Sequence, residues 1–160
     1  MRILIVLAAA LLLSSCGFQL RGAAQLPFTT LYVQVPTASP FGNELRRNLR
    51  TTNARLVNDP TQADATLQIM AELREKLILS LGGGGRVREY QLRYRVAFRL
   101  IDGKTRELLP ASEIVLKRDI TFNDSEALAK EAEENLLFRD MQSDAVQQLV
   151  RRLSALKSAS

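Results

Sequence analysis

Three consecutive stretches of this chain alternate between apolar and polar residues, and each runs for about 15 residues. From Leu67 the odd positions read Leu67, Ile69, Ala71, Leu73, Leu77, Leu79 and Leu81, with Glu75 the exception. From Tyr90 the even positions read Tyr90, Leu92, Tyr94, Val96, Phe98 and Leu100. From Leu108 the even positions include Ile114, Leu116, Ile120 and Phe122, with Arg118 breaking the pattern. A period of two puts one face in a core and one in water, which predicts antiparallel strands. Strands of that length span about 50 Å at ~3.3 Å per residue, far beyond the usual.

The breaks between the stretches are turn-forming. Residues 82–85 are all glycine, and Asp102-Gly103 is a hairpin signal. A shorter alternating run over residues 30–35 predicts another strand. Ser39 and Pro40 then supply an N-cap and a first helical residue. Phe41, Leu45 and Leu49 follow on one helical face to about Asn53, with Arg46, Arg47 and Arg50 on the other side. Asn123 and Glu126 are spaced to cap a second helix. Leu128, Ala132, Phe138, Met141, Ala145, Leu149 and Leu153 line its apolar side. The order β-α-β-β-β-α predicts an α+β two-layer sandwich. Two helices pack on one face of a four-stranded mixed, mostly antiparallel sheet.

Composition narrows the chemistry. The chain has no His and a single Cys, Cys16. That excludes a His-based triad, an internal disulfide and a Cys-only zinc site. No catalytic residues, metal ligands or cofactor are expected. The excess of 22 Lys+Arg over 17 Asp+Glu is small and scattered, which argues against nucleic acid.

Arg2 precedes eleven apolar residues, 3–13. That is too short to span a bilayer and fits the core of a secretory signal. Leu13-Ser14-Ser15-Cys16 resembles a bacterial lipobox. Cleavage before Cys16 and acylation of Cys16 would anchor the mature chain. The expected organisation is a signal peptide over 1–15, a lipidated tether over 16–30, one domain over 31–153 and a frayed tail over 154–160.

Candidate sites are cationic. The glycine run lacks the Gly-Lys-Ser/Thr of a phosphate loop and joins two strands, so it reads as a hairpin tip. Glu131, Glu133 and Glu134 suit the early turns of a helix and read as a solvated face. Strand polarity gathers Arg86, Arg88 and Lys130 at that tip, beside a helix N-terminus. The combination suits a phosphorylated or carboxylated ligand. Arg93, Arg95 and Arg99 form a second row on the wet sheet face, with Arg74 and Lys76 read as lying beside it.

Several segments together resemble one known family. Residues 16–22 (CGFQLRG), 89–92 (EYQL), 127–130 (ALAK), 139–141 (RDM) and 148–153 (QLVRRL) are similar to the LPS-assembly lipoprotein LptE family. The resemblance implies a two-helix α/β sandwich on an outer-membrane lipoprotein, anchored at the periplasmic leaflet. It implies a 1:1 complex with the β-barrel LptD, in which the protein is plug and assembly factor. It also implies lipopolysaccharide binding. Lys130 matches the family directly, whereas the family's basic turn residue falls on the glycine run, so Arg86 or Arg88 takes its place. Arg93, Arg95 and Arg99 would face the barrel. The competing expectation is a lipid-anchored envelope carrier or scaffold without a barrel partner.

Overall fold

A computed structural model of the chain describes residues 24–36 and 38–156. The signal sequence and Cys16 lie outside the described residues. The strands are β1 (Thr30–Gln34), β2 (Arg55–Val57), β3 (Ala65–Leu81), β4 (Val87–Asp102) and β5 (Glu107–Thr121). The helices are α1 (Pro40–Leu49) and α2 (Ala127–Ser154). The sheet runs in the order β2-β1-β3-β4-β5. It therefore has five strands, one more than the four expected. The extra strand is three residues long, and only Leu56 among them turns toward the helices, so alternation does not announce it. β1 is parallel to both β2 and β3, whereas β3, β4 and β5 form an antiparallel meander.

α1 begins where its capping signal lies. The Ser39 hydroxyl accepts from the Gly42 N–H at 2.9 Å, and Pro40 opens the helix. Phe41, Leu45 and Leu49 are fully buried. Gly42 lets this helix sit close to the sheet, since a Cβ there would fall 2.7 Å from Val35 Cγ1. α2 is preceded by a 3-10 turn (Asp124–Glu126) capped by Asn123. Its buried stripe starts only at Phe138 and continues through Met141, Ala145, Leu149 and Leu153. Leu128 is 84% exposed, so the first turns project beyond the core and do not line it as expected.

β4 carries the core in strict alternation: Leu92, Tyr94, Val96, Phe98 and Leu100 are all fully buried. β3 behaves differently. Leu67 and Ile69 pair with Leu100 and Phe98, but the register slips between Ile69 and Ala71. A β-bulge at Met70 places an extra residue in β3 and reverses which parity faces the helices. Beyond it, Glu72, Arg74 and Lys76 stand opposite Val96, Tyr94 and Leu92, on the helix side. Leu73 and Leu77 therefore turn to the open face, where both are exposed. The single apolar face expected for β3 is in fact split between the two sides.

The chain joins the core before the first strand. Leu26 and Phe28 are buried, and Leu26 exchanges two hydrogen bonds with the Asn53 side chain, at 2.6 and 3.0 Å.

Candidate functional site

The face of the sheet away from the helices carries a cross-strand ladder of opposite charges. Arg95 bridges to Glu113 on β5 at 2.8 Å and reaches Glu75 on β3 at 4.0 Å. Arg93 approaches the same Glu75 oxygen at 3.7 Å. Arg99 donates to Gln68 at 2.6 Å and lies 3.8 Å from Glu107. All three arginines thus stand on one face as expected, each beside an acid rather than as an unmatched basic row. Side chains directly opposite on neighbouring strands couple this way.

Arg74 and Lys76 are not part of that face. The Met70 bulge turns both toward α2. Arg74 donates to Gln142 at 2.9 Å and lies 5.7 Å from the Tyr94 and Phe138 ring centres. Lys76 pairs with Glu134 at 2.6 Å and lies 4.3 Å above the Tyr90 ring. Gln142 in turn donates to Glu44 of α1 at 2.7 Å, and the Ser143 hydroxyl donates to the other oxygen at 2.6 Å. These polar groups lock the two helices to each other and to the sheet. Glu134, read from sequence as part of a solvated face, is one of their anchors.

At the far end of the sheet, Gly84 and Gly85 turn the β3–β4 hairpin with φ of 79° and 76°. Only glycine adopts these angles freely. Arg86 leaves this turn and Arg88 lies two residues on, both exposed. The Arg88 carbonyl accepts from the Phe122 N–H at 2.8 Å, at the end of β5. Lys130, in the first turn of α2, donates to Thr121 at 3.3 Å and pairs with Glu133 at 2.9 Å. Thr121 stands opposite Glu89, the neighbour of Arg88. The end of β5 thus brings Arg88 and Lys130 to one end of the sheet, with Arg86 beside them. Lys130 already holds a carboxylate, with which an anionic ligand there competes.

A third cationic cluster escaped the sequence reading as a site. Arg46 of α1, Arg50 just past its end and Arg55 of β2 line a groove of about 560 Å³ at the outer edge of β1. Arg46 and Arg50 show in the sequence as one helical face. Arg55 joins them only through the short strand that alternation does not reveal.

The architecture defines an open-faced two-layer α/β sandwich, with helices on one side and a charged sheet surface on the other. A family model described as LptE, lipopolysaccharide-assembly, matches residues 28–153. The LPS-assembly lipoprotein LptE of Yersinia enterocolitica is 33% identical over 169 residues, covering 99% of this chain and 78% of that protein. Its counterpart in Pectobacterium atrosepticum is 30% identical, covering 94% and 83%. Among solved structures, lipoprotein B of Nitrosomonas europaea superposes with a TM-score of 0.77 at 47% identity, covering 89% of this chain and 94% of that one. The rare lipoprotein B of Shewanella oneidensis shares the fold with a TM-score of 0.70 at 24% identity, covering 79% and 95%. The chain belongs to the LptE family of lipopolysaccharide-assembly lipoproteins. Among the described residues no helix is long and apolar enough to cross a membrane.

Proposed function

We propose that this protein is a non-catalytic component of lipopolysaccharide assembly, anchored to the periplasmic leaflet of the outer membrane through an acylated Cys16. It docks as a 1:1 plug within the β-barrel LptD, assists the folding of that barrel, and engages lipopolysaccharide through Arg86, Arg88 and Lys130. The observation that carries this reading is the bare sheet face. The helices leave it uncovered, and its Arg93, Arg95 and Arg99 stand among Glu75, Glu113 and Glu107. A barrel interior is polar, and a ladder of alternating charge suits such a wall better than an apolar membrane. The sheet axis adds support. β1 and β3 are parallel, so the N-terminal segment enters at the end opposite the glycine turn. An anchor at the first end directs the cationic tip up the lumen, away from the periplasmic leaflet.

Copurification from detergent-extracted membranes tests the docking. The protein is expected to emerge with a barrel of far larger mass in equimolar amount. Recovery of this chain alone, with the barrel assembled normally in its absence, would leave a carrier or scaffold role in its place.

A further inference from the structure

We infer that the groove lined by Arg46, Arg50 and Arg55 is a binding site for a phosphate group, distinct from the cationic tip and from the sheet face. The groove opens where β2 stops at Val57 while β1 runs on to Gln34. Its other walls include Tyr32, Leu56 and Asn58. Arg50 caps the C-terminal end of α1 in helical conformation, four residues after Arg46, so the two side chains share one face and repel. Arg55 lines the groove as well, from a β2 position that alternates away from the helices.

The cluster holds three arginines and no acid. Among the described residues no carboxylate lines the groove, and no ion pair joins any of these three arginines to an acid. Elsewhere Arg93, Arg95, Arg99, Arg106, Arg118, Lys76 and Lys130 all have acidic neighbours. The last carbonyls of α1 are capped without these side chains. The Asn48 and Leu49 carbonyls accept from the Thr51 and Thr52 hydroxyls at 2.7 and 2.6 Å. Arg46 makes one neutral contact, to the Val33 carbonyl at 3.3 Å.

Guanidinium groups present paired N–H donors that match phosphate oxygens, and a shared anion relieves their mutual repulsion. A groove of about 560 Å³ holds a phosphate together with the group it is esterified to. One wall residue, Ala54, adjoins Asn53, whose side chain holds Leu26 of the N-terminal segment. Two sources supply the same chemistry: a phospholipid head group at the membrane surface, or a soluble phosphate ester.

The test is NMR of the arginine Nε–Hε groups in the purified full chain, held in phosphatidylcholine bicelles. One arm adds phosphatidylglycerol to the bicelle, and the other adds inorganic phosphate to the solution. The Arg46, Arg50 and Arg55 signals are expected to shift and saturate while Arg47, exposed on the same helix but outside the groove, does not. Response to phosphatidylglycerol alone identifies a lipid head group. Response to inorganic phosphate identifies a soluble source. Arg50→Gln with Arg55→Gln is expected to weaken the responding arm at least tenfold, and Arg47→Gln less than twofold. A site-specific shift in neither arm, or equal effects at Arg47, overturns the proposal in favour of diffuse surface charge. The outcome does not depend on barrel docking or on the tip.

Discussion

The Tyr94 hydroxyl donates to Glu72 Oε1 at 2.7 Å, while the other oxygen of Glu72 accepts from the Ser39 hydroxyl at 2.8 Å. One carboxylate therefore ties the middle of the sheet to the residue that caps α1. Tyr94 is fully buried, so its hydroxyl has no water to fall back on. Burial, reinforced by Glu72, pushes the Tyr94 phenol well above its ordinary value.

Removing Glu72 leaves a buried donor unpaired and loosens the cap. Glu72→Ala is expected to cost about 1–3 kcal/mol in urea unfolding, and Tyr94→Phe about 1 kcal/mol. The double variant should fall short of their sum, because both singles break the same bond. The tyrosine also sets an alkaline limit. Its folded-state value is raised, so its contribution is whole below about pH 10 and declines above that, as the unfolded chain releases the proton first. Tyr94→Phe should lose that part of the alkaline decline. A Glu72→Ala chain as stable as wild type would deny the tie.

The bulge at Met70 is the device that brings Glu72 to Tyr94. Met70 is half exposed and is passed over in the pairing of Ile69 with Phe98 and Ala71 with Ala97. Deleting Met70 regularises the ladder without changing which face any later residue takes. Deleting Leu73 removes one residue from the alternation and turns Arg74 and Lys76 outward. Circular dichroism and limited proteolysis should find the first deletion folded and the second collapsed or lost. Equal tolerance of both would mean that facing in the outer half of β3 carries little energy.

That contrast also marks how far the sequence could be read. The strands β3, β4 and β5 were legible because alternation over such a length has few other meanings. α1 was legible because Ser39-Pro40 fixes its start and Phe41, Leu45 and Leu49 fix its face. The bulge was not legible, because Leu73, Leu77 and Leu79 continue the odd-numbered apolar series straight through it. The inward residues that replace them are Glu72, Arg74 and Lys76, whose charges find partners only in the folded protein. The exposed start of α2 was hidden for a similar reason, since Leu128 and Ala132 extend the helical stripe past the core that the stripe covers. Arg93, Arg95 and Arg99 were placed on one face by alternation alone, but their acidic neighbours depend on strand register.

Asp64 gives an acid-side prediction. One of its oxygens accepts from the N–H groups of Thr29 and Thr30 at 3.0 and 2.8 Å, clamping the start of β1 to the start of β3. The Thr30 bonds, foremost the one from its backbone, hold the carboxyl below its ordinary 3.8. A lowered value means the stabilisation is full above the ordinary carboxylate range and lost as pH falls through the folded value. Asp64→Ala should cost about 1 kcal/mol at pH 7, reduced by the site's exposure. The gap from wild type, followed by thermal unfolding, should close below about pH 3. A gap that persists in acid would assign the loss to packing.

The cationic tip yields the sharpest prediction for the proposed function, because Lys130 is already engaged. Its Nζ lies 2.9 Å from Glu133 and its side chain is only 17% exposed, so a lipid phosphate competes with that carboxylate. Removing the competitor and removing the cation should therefore act in opposite directions. Glu133→Gln is expected to tighten lipopolysaccharide binding several-fold. Lys130→Asp together with Arg86→Asp is expected to weaken it at least tenfold, which about 1.4 kcal/mol of lost charge-assisted bonding suffices to produce. Folding should survive both changes, since neither Lys130 nor Arg86 belongs to the buried core. Copurification with the barrel should survive as well, because the sheet ladder of Arg93, Arg95 and Arg99 is untouched. Reversing Arg93 and Arg95 should do the converse, weakening barrel recovery while sparing the ligand. If Glu133→Gln and Lys130→Asp shift affinity in the same direction, or neither shifts it, the pair serves the first turn of α2 and the lipid phosphate binds elsewhere.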